Sequence, residues 1–167
     1  MDKLLIAVLG KENSGKTKTW QTLFEQDVRT GKRLRKFYFN DKEYVEVFLV
    51  SGSPEEREKY VDELITVNNP NIVLCSVQYA VEALGTFNYF IERQYSLFVQ
   101  WLNPGHSERQ IYFDYLGMSD WLLAKGATLS VRNGNGDPTP RAYEINDYLY
   151  GWAKSRDLIK TKILGFL

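Results

Sequence analysis

The sequence predicts a three-layer α/β/α domain on a mostly parallel sheet of about six strands, one of them antiparallel in a hairpin. Three observations predict it. Short apolar runs alternate with stretches of helical periodicity along the chain. Most of those runs are continuously apolar, as strands covered on both faces should be. The 167 residues, 44% hydrophobic and 25% charged, give one domain with room for a sizeable core. No internal repeat or linker interrupts 1–167, which reads as a single domain.

In order, LLIAVL (4–9) is a doubly buried strand, and GKENSGKT (10–17) follows it. Residues 16–26 read as a helix with Trp20, Leu23 and Phe24 on one face. RKFYFN (35–40) and YVEVFLV (44–50) flank Asn40-Asp41-Lys42-Glu43, a hairpin turn. A helix is expected over 53–65. There Ser53 is the N-cap, Pro54 takes the first helical position, and Glu55 and Glu56 complement the dipole. NIVLCSV (71–77), SLFVQWL (96–102) and ATLSVRN (127–133) are further strands. Helices are expected over 84–94, 111–124 and 143–159, with Lys125-Gly126 as a helix stop. RNGNGDPTPR (132–141) reads as a surface loop. The final IKTKILGFL (159–167) is expected to pack back on the domain, with an apolar tail for a partner as the alternative.

Lysine plus arginine and aspartate plus glutamate number 21 each, so the net charge is zero. The total charge gives no support to wholesale binding of nucleic acid or an anionic membrane, while a local patch stays open. Cys75 is the only cysteine, which excludes an internal disulfide and a cysteine metal cluster, and its apolar setting marks it as core. His106 is the only histidine, and no serine sits in a nucleophile elbow, so the Ser-His-Asp class is set aside. The N-terminal apolar run is too short for a signal peptide. No stretch approaches the roughly 18 apolar residues of a membrane span. The expectation is a soluble, cytoplasmic protein.

GKENSGKT fits G-x-x-x-x-G-K-[ST], after an apolar strand and before a helix. Gly10 and Gly15 let the backbone turn so that the N–H groups of Lys11, Glu12, Asn13, Ser14, Gly15 and Lys16 face one concavity. That nest, with the first turn at Thr17 and Lys18, suits a phosphate chain. Lys16 would reach the terminal phosphates, and the Thr17 hydroxyl would ligate Mg²⁺.

The loop resembles the Walker A motif of the P-loop NTPase superfamily, and the hairpin after the first helix resembles the Ras-like GTPase topology. The resemblance implies Mg²⁺ with ATP or GTP. FLVSGSPEE sits where that family has its switch II segment, D-x-x-G before a helix: Gly52 matches the glycine, but the acidic position falls on Leu49. The metal-bound water would lack its usual carboxylate, with Glu55 or Glu56 as substitutes and dipole-complementing surface roles as the plainer reading. In place of N-K-x-D the fifth strand ends in WLNPGH, where Asn103 matches and Pro104 and His106 do not, so guanine selectivity is not supported. Lys11 after the first glycine is similar to the deviant Walker A ATPases, whose lysine acts across a dimer. The plainer reading is an exposed charge at the rim.

RTGKRLRK (29–36) falls at the switch I position, with Thr30 as a candidate Mg²⁺ contact and a solvated basic loop as the plain alternative. Arg93, Arg109, Arg132 and Arg141 lie in segments that could face a nucleotide, where an arginine stabilises phosphoryl charge. Each also reads as a surface charge. GHSERQ around Arg109 could form a short lid, and GNGDPTPR a base cap.

Three functions follow. The first is a nucleoside triphosphate-binding switch with slow or partner-stimulated hydrolysis, whose output and protein contacts lie at 29–36 and 51–58. The second is a small-molecule or nucleotide kinase on the same core, with Asp114 and Asp120 as available acids. The third is a non-catalytic nucleotide-binding interaction module.

Overall fold

A computed structural model describes residues 2–163 of the chain. The elements run β1 (Lys3–Gly10), α1 (Lys16–Phe24), β2 (Arg35–Tyr38), β3 (Glu43–Val50), α2 (Val61–Leu64), β4 (Ile72–Gln78) and α3 (Ala83–Glu92). They continue with β5 (Tyr95–Leu102), α4 (Met118–Ala124), β6 (Thr128–Arg132), α5 (Thr139–Lys154) and β7 (Lys160–Thr161). Six strands of one sheet lie in the order β2-β3-β4-β1-β5-β6, and β7 pairs with β3 off that path. β3, β4, β1, β5 and β6 are mutually parallel. β2 and β7 are antiparallel to β3. The architecture is the expected α/β arrangement of three layers.

β1 shows how the layers arise. Leu5, Ala7 and Leu9 pack with Val61 and Leu64 of α2, Phe87 and Phe90 of α3, and Met118 and Leu122 of α4. Leu4, Ile6 and Val8 face the other way, onto Trp20 and Leu23 of α1 and Ile145, Leu149 and Trp152 of α5. Alternate side chains of a strand point to opposite faces, so a strand covered twice carries no polar alternation. Each of its leucine, isoleucine and valine side chains contributes about 1.5–3 kcal/mol on burial. Cys75 is fully buried in this core, as expected, and burial holds its thiol well above the ordinary range. Asn40 closes the β2–β3 hairpin, its Oδ1 accepting the Lys42 and Glu43 amides at 2.9 and 2.8 Å.

Two expected helices are much shorter than their sequence pattern. Over 53–65 only Val61–Leu64 is helical. Ser53 Oγ does accept the Glu56 amide at 3.3 Å, and the Arg57 amide reaches the Ser53 carbonyl. Glu58 then takes φ 53°, which a right-handed helix cannot contain, and the turn closes. Over 111–124 only Met118–Ala124 is helical. Asp114 accepts the Met118 and Ser119 amides at 3.1 and 2.9 Å, satisfying first-turn donors and so fixing the start there. Residues 111–117 form an irregular strap before it.

The last helix begins at Thr139 rather than 143 and ends at Lys154, with Pro140 in its first turn. Within 159–167, Lys160 and Thr161 pair with Tyr44 and Glu43 of β3. Positions 164–167 lie outside the described residues. No helix among the described residues is long and apolar enough to cross a membrane.

Candidate functional site

The 10–17 segment links the C-terminal end of β1 to α1. A Cβ on Gly10 would lie 2.2 Å from Ser14 Oγ, so the loop's two ends meet only because that position has no side chain. Gly15 holds φ 104° at the start of α1, a conformation glycine adopts freely. No side chain caps α1, which leaves its first-turn N–H groups without a side-chain acceptor. Ser14 is buried, and its Oγ has no hydrogen-bond partner among the described residues.

Lys16 is the buried centre of the loop. Its ammonium donates to the Gly10 carbonyl at 3.1 Å, the Lys11 carbonyl at 2.8 Å and Gln78 Oε1 at 3.2 Å. A Glu56 carboxylate oxygen lies 3.1 Å away. Burial lowers the Lys16 pKa, and the charges of Glu56, Glu55 and Glu12 offset that only in part. Around this centre Lys11 is half-buried, while Glu12, Asn13, Thr17 and Lys18 are exposed. Among the described residues no group of three or more His, Cys, Asp or Glu is arranged to hold a metal ion.

Neither glutamate complements a helix dipole as the sequence suggests, because α2 begins only at Val61; Glu56 stays exposed, while Glu55 is half-buried. Glu55 accepts the Gln78 amide at 2.7 Å and the Thr86 hydroxyl at 2.9 Å. Burial raises its carboxyl above the ordinary range despite those bonds. Glu56 pairs with Lys16. Leu49 is fully buried against the α1 and α5 layer, so the position that would carry an acid is core here.

The basic segment is laced to this region. The Thr30 hydroxyl accepts from the Ser51 amide and from Arg57, both at 3.0 Å, and the Gly31 amide donates to the Leu49 carbonyl at 3.0 Å. Thr30 is therefore tied to 51–57.

The loops after β5 and β6 wall the other side. The His106 amide donates to the Ser14 carbonyl at 3.0 Å, and the Gly134 amide to the Pro104 carbonyl at 2.7 Å. Asn103 exchanges two hydrogen bonds with the Tyr112 backbone, at 3.0 and 2.9 Å, and so anchors the strap. Lys11 is not a free rim charge: its ammonium lies 3.6 Å from the Tyr112 ring centre and 3.9 Å from Glu108.

The candidate arginines separate. Arg93 stacks on Tyr89, Arg132 pairs with Glu144, and Arg109 is exposed. Arg141 is buried rather than a surface charge, and its Nε donates to the Thr19 hydroxyl at 2.9 Å. Of the candidate acids, Asp114 is taken up by Tyr79, Ser119 and the start of α4, and Asp120 is exposed.

The sequence reading missed Gln78 and Thr86. Gln78 ends β4, and only the pairing of β4 with β1, which sets Gln78 beside Gly10, brings it to Lys16. Its one signal is a polar residue directly after the apolar run 71–77. Beside these groups lies a cleft of about 1350 Å³, lined by Glu12, Glu55, Glu56, Gln78 and residues of α3.

Comparison with protein-family models, curated proteins and solved structures finds no match to this chain.

Proposed function

We propose that the chain binds a nucleoside triphosphate, ATP or GTP with Mg²⁺, at the 10–17 loop and acts as a conformational switch with slow or partner-stimulated hydrolysis. The observation that carries this reading is the buried Lys16 ammonium at the uncapped start of α1, ringed by two loop carbonyls, Gln78 and Glu56. A buried ammonium beside free helix amides suits an anion of high charge. Thr17, exposed on the first turn, would hold Mg²⁺. A phosphate reaching Lys16 would compete with Glu56. Glu56 belongs to 51–58, and Arg57 and Ser51 hold Thr30. Displacing Glu56 would therefore loosen 51–58 and 29–36 together, where a protein partner would sense the change.

The cleft favours a second reading, phosphate transfer to an acceptor. Glu12, Glu55 and Glu56 in its lining would repel an anionic acceptor such as a nucleoside monophosphate. An uncharged or cationic acceptor fits better.

The experiment is a thermal-shift panel of ATP, GTP and nucleoside monophosphates with Mg²⁺, because a ligand of the native state raises apparent stability. Stabilisation by a triphosphate is expected. The reading is lost if no nucleotide moves the transition.

A further inference from the structure

Arg141, at the start of α5, is 3% exposed. Its Nε donates to Thr19 Oγ1 at 2.9 Å and its Nη2 to the Gly15 carbonyl at 3.4 Å, while Nη1 is buried with no partner among the described residues. No carboxylate forms an ion pair with it among those residues. Asp137 acts on it through space, but that carboxylate is solvent-exposed and accepts from Thr139. Glu144, nearly one turn along α5, is occupied by Ser130, Gln100 and Arg132.

A buried charge without a counter-ion opposes folding. Nothing local requires it. The Thr19 hydroxyl already donates to the Gly15 carbonyl at 2.9 Å, so those two groups satisfy one another without the arginine. What the guanidinium adds is positive charge directly beneath the residue that starts α1, where the interior screens poorly.

We propose that Arg141 is an affinity-setting residue for the 10–17 loop: a cation that the protein leaves uncompensated and that a bound phosphate group neutralises. The inference rests on the phosphate-binding reading above. Arg141 is a positioning residue, 3% exposed and with Nη2 turned to the Gly15 carbonyl. It acts through the Gly15 peptide and through its field. By linkage, an anion that relieves the cost of this uncompensated charge binds more tightly, and the free protein is correspondingly less stable.

The test compares the parent chain with Arg141→Met, which keeps bulk without charge, and Arg141→Lys, which keeps charge. Affinity for Mg·ATP, Mg·GTP and pyrophosphate is measured by titration calorimetry, and ligand-free melting is recorded. The Met variant is expected to melt no lower than the parent and to bind at least about tenfold more weakly, with the Lys variant within about threefold of the parent. Three results overturn the inference: a folded Met variant that binds as well as the parent, a Lys variant as weak as the Met variant, or a Met variant that fails to fold or melts lower. In the last case the charge serves folding and not a ligand. If the parent binds none of the three compounds, the phosphate-binding reading falls and takes the inference with it. Parent binding with unchanged affinity in Arg141→Met removes the inference alone.

Discussion

The Lys16 ammonium lies 3.1 Å from a Glu56 carboxylate oxygen, so a segment beyond β3 supplies a negative charge to the loop that β1 and α1 frame. A phosphate and this carboxylate compete for one cation. Glu56 is 37% exposed, so solvent reduces the pair to about 0.2–1 kcal/mol. Glu56→Gln is therefore expected to tighten phosphate binding about 1.5- to fivefold, read by titration calorimetry with pyrophosphate and Mg·ATP. Equal binding would show that Glu56 does not compete with the ligand, and weaker binding that it helps to hold it.

Lys16→Ala tests the same centre from the other side. A charge-assisted hydrogen bond contributes about 1.5–3 kcal/mol, so nucleotide affinity should fall at least about tenfold. The fold should survive, since burial of the ammonium opposes its charge and its Glu56 partner is partly in water. Circular dichroism checks the fold and calorimetry the affinity. A mutant that binds like the parent would remove the basis of the phosphate site.

How far these features could be read in advance depends on how local their causes are. β1 was legible because burial on both faces leaves its mark within six residues. The 10–17 loop was legible because its glycines and lysine are contiguous. The helix expected over 53–65 was not: Ser53 caps a turn as its residue type directs, but Glu58 at positive φ ends it, and no neighbouring residue type announces that conformation. In the 111–117 strap, Ile111, Phe113 and Tyr115 are exposed while Tyr112, Asp114 and Leu116 are partly covered. That is a period of two, overlooked beside the helical pattern after it. Gln78 and Arg141 reach the site only through sheet order and the packing of α5 on α1, which no short window of sequence contains.

A buried hydrogen-bond chain joins three parts of the site's support. Trp20 Nε1 of α1 donates to Ser76 Oγ of β4 at 2.8 Å, and that hydroxyl donates to the Ser51 carbonyl at 2.6 Å. Trp20 and Ser76 are both fully buried. Ser76→Ala would leave the indole N–H and the carbonyl unpaired, at a cost of about 1–3 kcal/mol in urea denaturation. Trp20→Phe combined with Ser76→Ala should cost less than the sum of the single changes, since the second removes an already broken bond. Full additivity would mean that the indole and the hydroxyl are not coupled.

Glu55 supplies a pH test. Burial raises its carboxyl pKa in the folded chain, so the native state holds that proton more tightly than the unfolded state does. The contribution to stability is fully present below the ordinary glutamate value, about 4.3, and is lost as pH rises through the higher folded value. Glu55→Gln removes the ionisation and keeps the geometry: an amide oxygen can accept from the Gln78 N–H, and the amide nitrogen can donate to Thr86. The variant should lose the part of the parent's stability decline that begins near the ordinary glutamate value, and at neutral pH it should be at least as stable as the parent. Urea titrations of both proteins from acid to neutral pH measure this. A variant less stable at neutral pH, with an unchanged slope, would show that Glu55 is well solvated and that its two hydrogen bonds, not its burial, govern its charge.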